Sequence, residues 1–137
     1  MFYLLLQLII NIFHLIVIIF VLTAPFVFGC SPLILILHIV FCFSLMVHWY
    51  SNNDICCLSE FEAYVTGKDR VDTFSHSLIA PMYNFPPQVW SQFCYILTGG
   101  LMVISIYKLI TCEKSKKAID NLYKGTFFTE ENIKLLI

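Results

Sequence analysis

From Met1 to Asn53 the chain carries no Asp, Glu, Lys or Arg. Apolar residues fill positions 2–28 and again 33–50, separated by the punctuated stretch "TAPFVFGCSP" at 23–32. A membrane-crossing helix needs about 20 apolar residues. Proline disfavours helix at the residue before it and removes a backbone donor. The pattern therefore predicts a helical hairpin with a very short turn, its spans over about 2–24 and 33–50. One long bent helix is the alternative, but it would far overshoot the ~30 Å of hydrocarbon. A third apolar block, "VWSQFCYILTGGLMVISIY", follows Pro86-Pro87 and predicts a span over about 89–108. Proline is tolerated in a first helical turn. Trp90 at one end and Tyr107-Lys108 at the other suit membrane interfaces. Gly99-Gly100 would permit close helix approach in mid-span, without forming a GxxxG pattern.

The segment 51–87 is too long for a structureless loop in a compact protein. It predicts a helix from about Asp54 to Val65, ending at Gly67, and a second after Asp72-Thr73. The run "SLIAPMYNFPP" is apolar but broken by proline, so it should lie on the membrane surface. In the tail, Thr129 could cap a last short helix that docks Ile133, Leu135 and Leu136. The expected fold is an all-α membrane protein with three transmembrane helices, a hairpin plus a third span. A membrane domain over 1–110 would include a helical outer loop at 51–87, and a short cytoplasmic tail would cover 111–137.

Composition supports this class. Of 137 residues, 59% are hydrophobic and 12% charged, with mean hydropathy +0.82. Soluble domains carry about 25% charged residues. A net charge of −1 gives no electrostatic case for nucleic acid. The N-terminus lacks the positive residues of a signal peptide, and Thr23-Ala24-Pro25 is a poor cleavage site, so the first helix reads as retained. The loop 51–87 has Lys68 and Arg70 against five acids, whereas Lys108, Lys114, Lys116, Lys117, Lys124 and Lys134 gather at the C-terminal side. Cytoplasmic flanks are enriched in Lys and Arg. The tail is expected in the cytoplasm, with the loop and N-terminus on the outer or lumenal side.

Polar residues inside the spans come next. Gln7, Asn11 and His14 share one helix face, and so do His38, Cys42 and Trp49. Polar side chains in lipid face protein or water-filled cavities, so the two stripes are expected to face each other. Interhelical hydrogen bonding is the plain reading. A haem held between His14 and His38, or a proton path, is the sharper one. Missing charge within the first two spans argues against a charged relay.

The densest cluster of chemistry is "HWYSNNDICCLSEFE" at 48–62. Its plain reading is a helix exit: His48, Trp49 and Tyr50 at the interface, Asn52, Asn53 and Asp54 as turn and cap, then an amphipathic helix. Topology places Cys56 and Cys57 on the side of Cys94, so one of them could pair with it. That bridge would be worth about 4 kcal/mol by loop entropy and belongs on an oxidising side. Cys30 and Cys112 fall on the cytoplasmic side. His48, Cys56, Cys57 and His76 offer zinc-binding atoms, but an adjacent Cys-Cys is not the usual thiolate spacing. Cys57 with His48 or His76 would be the candidate nucleophile pair, and no nucleophile elbow, phosphate loop or HExxH accompanies it.

The residues His48, Trp49, Asn52, Asn53, Cys56, Leu58, Ser59 and Glu62 resemble a motif, roughly HW…N-x-C-x-L-[ST]-x-x-E, of small uncharacterised membrane proteins. These occur in large nucleocytoplasmic DNA viruses and some microbes. The resemblance implies no known activity; it points to a virion membrane component, and no cofactor is expected. The function expected is that of a non-enzymatic structural membrane protein. Its partners would be the lipid bilayer and other membrane or capsid proteins, or a second copy of itself. A membrane redox or cofactor protein and a small channel or transporter subunit are the alternatives.

Overall fold

A computed structural model describes residues 2–67 and 87–124. The described residues form helices α1 (Phe2–Val27), α2 (Pro32–Ser51), α3 (Cys57–Thr66), α4 (Pro87–Thr111) and α5 (Glu113–Tyr123). Three of them, α1, α2 and α4, are long and apolar enough to cross a membrane. The expected helix after Asp72-Thr73, the "SLIAPMYNFPP" segment up to its last proline and the Thr129 helix lie outside the described residues.

α1 runs through Pro25 to Val27, three residues past its expected end at 24. Proline removes one N–H, that which would serve the Val21 carbonyl four residues earlier. That carbonyl finds another donor, described below, so the helix need not stop. Gly29, at φ +59, supplies the left-handed residue that ends it, and Ser31 N donates to Phe28 O at 3.2 Å to close the turn. Helix α2 starts at once with Pro32, whose missing N–H costs nothing at a first helical position.

Contacts divide the chain into two units, Met1–Ile19 with Leu45–Ile96 and Phe20–Ser44 with Leu97–Ile137. The tail helix α5 groups with the second unit. In that unit one stripe per helix is buried: Val21, Ala24 and Pro25 of α1; Leu35, His38 and Cys42 of α2; Thr98, Leu101 and Ser105 of α4; Ser115 and Ala118 of α5. These follow the three- and four-residue steps of a helix face. Phe20 packs edge-on to Phe41, with ring centroids 5.5 Å apart. Lys108 does not reach outward as an interface anchor. Its Nζ donates to Pro25 O at 2.6 Å, one of the last carbonyls of α1, and stands 5.8 Å from the Phe26 ring centre. A cation at a helix C-terminus satisfies both the orphan carbonyl and the helix dipole. A Cβ on Gly100 would meet nothing within 4 Å among the described residues.

In the first unit, Ile10 and His14 of α1 are buried together with Ser59, Glu62 and Ala63 of α3. Helix α3 ends as expected at Gly67, whose φ of +65 is the left-handed cap and whose N–H donates to Ala63 O at 2.9 Å. It starts at Cys57, three residues later than expected, because Asn53 and Asp54 both adopt positive φ, 51 and 64, and belong to the turn.

Candidate functional site

The motif 48–62 builds a hinge from the end of α2 into α3. Asp54 N donates to Trp49 O at 2.8 Å and Asn52 N to His48 O at 3.0 Å, closing the C-terminus of α2. The long-range closure, six residues back to one, is the Schellman pattern, which requires a left-handed residue. Asn and Asp tolerate that conformation because their short side chains hydrogen-bond locally. Asn53 and Asp54 take it here. Beside them, Asn52 Nδ2 donates to Ile55 O at 3.0 Å and to Glu60 Oε2 at 3.3 Å. It thereby ties the turn to the first turn of α3.

His48 has a structural task at the same joint. Its Nε2 accepts the backbone N–H of Cys57 at 3.0 Å, one of the orphan donors at the start of α3. Trp49 and Asp54 both meet Tyr95 of α4. The Trp49 and Tyr95 rings stand edge to face at 5.6 Å, and Tyr95 OH donates to Asp54 Oδ1 at 2.9 Å.

Cys56 is the N-cap of α3, and its Sγ lies 3.4 Å from His14 Nε2. Burial pushes the Cys56 thiol above the usual range; backbone N–H groups of Ser59 and Leu58 act weakly the other way. The thiol therefore stays protonated near neutral pH, within hydrogen-bonding distance of the His14 ring nitrogen. A thiol in that state is a poor nucleophile. Glu62, only 2% exposed, lies within electrostatic reach of His14 on the same side of α3. Asn11 Oδ1 is buried without a hydrogen-bond partner among the described residues.

The second polar centre is His38, fully buried in the other unit. Its Nε2–H donates to Val21 O at 3.0 Å, the carbonyl that Pro25 leaves without a helical donor. Ser105 Oγ donates to its Nδ1 at 2.8 Å, and Cys42 Sγ lies 3.4 Å from Nε2. Both ring nitrogens are thus engaged, and neither is offered to a haem iron. The two polar stripes of α1 and α2 were expected to face each other. Instead His14 faces Cys56 of α3, whereas His38 faces a backbone carbonyl and Ser105.

The expected pairing of Cys56 or Cys57 with Cys94 is not made: all three are free thiols. The disulfide joins Cys30 and Cys112, with Cα atoms 6.0 Å apart. Cys56 is turned to His14, and Cys57 is exposed. Cys30 and Cys112 meet because the α1–α2 turn and the α4–α5 joint lie side by side, with Ser115 Oγ donating to Cys30 O at 3.1 Å. Among the described residues no three His, Cys, Asp or Glu side chains converge as a metal would require. His76 lies outside them.

Sequence reasoning singled out His48, Asn52, Cys56, Glu62, His14 and His38. It missed Tyr95, Ser105 and the Cys30–Cys112 pair, and it gave Lys108 an interface role without its Pro25 partner. Pro25 inside an apolar helix was the available signal that a Val21 carbonyl needed a donor. No family model, curated protein or solved structure matches the chain.

Proposed function

We propose that this chain is a structural integral membrane protein that crosses the bilayer three times and packs with other membrane proteins. The observation that carries this reading is how the polar groups of the long helices are used. His38 serves Val21 O and Ser105, and Lys108 serves Pro25 O. Internal pairing of this kind is what a lipid environment demands of buried polar groups. The outer faces are apolar: Leu4, Ile12, Phe13, Ile16, Ile19, Val40, Phe43 and Val103 are all exposed. In the most apolar stretch of each long helix only 17% of residues are buried, which leaves the rest to lipid or to partner helices.

The lysines favour a cytoplasmic tail, with the loop 51–87 on the outer or lumenal side. Placement in a virion inner membrane, beneath or tethered to a capsid, rests on the resemblance of the 48–62 motif alone. A redox role is the second reading, favoured by the free Cys56, Cys57 and Cys94 thiols gathered in one unit.

Washing isolated membranes with alkaline carbonate tests the reading. Retention in the membrane pellet, with protein neighbours captured by cross-linking, is expected. Release into the supernatant contradicts integral insertion, and cross-linking only to lipid contradicts packing with proteins.

A further inference from the structure

Helix α5 (Glu113–Tyr123) follows α4 with only Cys112 between them, so it begins where the third span-length helix ends. Two contacts pin that beginning to the α1–α2 turn: the Cys30–Cys112 bond and the Ser115 hydroxyl on Cys30 O. Ser115 and Ala118 are buried there at 0% and 2% exposure. Ile119 and Tyr123 border this buried face and remain 41% and 93% exposed. A helix turns about 100° per residue, so Lys114 and Lys116 stand on the two flanks of the face centred on Ser115. Glu113 and Asp120 occupy the opposite side, where Asp120 is paired with Lys124. Lys108 is already spent on Pro25 O. From 113 to 124 there are four Lys against Glu113 and Asp120, a net charge of +2.

An amphipathic helix with lysines at the border of its apolar face, starting at the end of a span, has the features of an interfacial helix. Lysine stems lie along apolar surface while their ammonium groups reach the phosphates. We propose that α5 binds the headgroup phosphates of anionic phospholipids in the leaflet where α4 ends. Lys114 and Lys116 hold the phosphates, and Ile119 and Tyr123 enter the boundary between headgroups and acyl chains. This rests on the three-span reading above. Each lysine near an anionic surface contributes roughly a fivefold gain in binding.

The test uses the full chain in nanodiscs of phosphatidylcholine alone and of phosphatidylcholine mixed with phosphatidylserine. Amide hydrogen exchange is followed over residues 116–123. Phosphatidylserine is expected to slow exchange by about tenfold, the combined effect of the two flanking lysines after opposition from the acids. Salt near 1 M, where screening acts within about 3 Å, should reverse the slowing. Lys114→Glu with Lys116→Glu should abolish it and leave the α4 amides unchanged. Equal exchange in the two lipids overturns the proposal, and if slow and salt-insensitive it gives the face to a protein partner. A lipid effect that survives the double substitution also overturns it. A chain that fails to enter the discs overturns the three-span reading as well, which separates the two failures.

Discussion

Pro25 stands four residues after Val21 and deprives one carbonyl of α1 of its helical donor, and His38 supplies the replacement at 3.0 Å. A buried carbonyl left without a donor costs about 1–3 kcal/mol. His38→Leu should therefore destabilise the protein by an amount in that range, read by thermal unfolding in detergent or lipid. Pro25→Ala restores the N–H at position 25, which can then serve Val21 within the helix. It should recover more stability in the His38→Leu background than it gives to the native chain. Equal effects of Pro25→Ala in both backgrounds would show that His38 and Val21 are not coupled. At this scale the sequence was half legible. His38 was marked by its chemistry, but its partners were not. One is a backbone atom, and Ser105 looks like any serine in an apolar helix. His14 was likewise marked, and Cys56 beside it was marked for a different partner.

The elements were more legible than their joints. Long apolar runs gave α1, α2 and α4 nearly to their ends, and Gly67 gave the end of α3, because these depend on local periodicity and local backbone conformation. Where α1 ends depended on a distant donor, and which cysteines pair depended on how turns and joints are placed. Neither is a local property, which is why a bridge to Cys94 stood as a possibility and the Cys30–Cys112 bond was not foreseen. The Cys30–Cys112 clasp and the free thiols at the α2–α3 hinge predict a pattern of maleimide labelling in native membranes. Exposed Cys57 should react first. Cys56 should react slowly near neutral pH, because burial raises its thiol and only the thiolate attacks. Its rate should climb at a higher pH than that of an ordinary thiol. Cys30 and Cys112 should react only after reduction. Labelling of Cys30 without reductant, or a Cys56–Cys94 bridge found by mass spectrometry, would contradict this arrangement.

For the molecule as a whole, two signals bear on orientation and they pull apart. The lysines of the tail point to the cytoplasm, whereas a disulfide at Cys30 and Cys112, at the same end of the chain's second long helix, belongs in an oxidising compartment. Both agree with three crossings, and three crossings place the termini on opposite sides. The most direct measurement adds an epitope tag to each end of the full chain. Protease is then applied to sealed vesicles whose cytoplasmic face is outward. The account predicts that the C-terminal tag is lost and the N-terminal tag survives. The converse pattern would keep three crossings and reverse the orientation, putting the disulfide on the oxidising side. Loss of both tags, or survival of both, would contradict the three-span account.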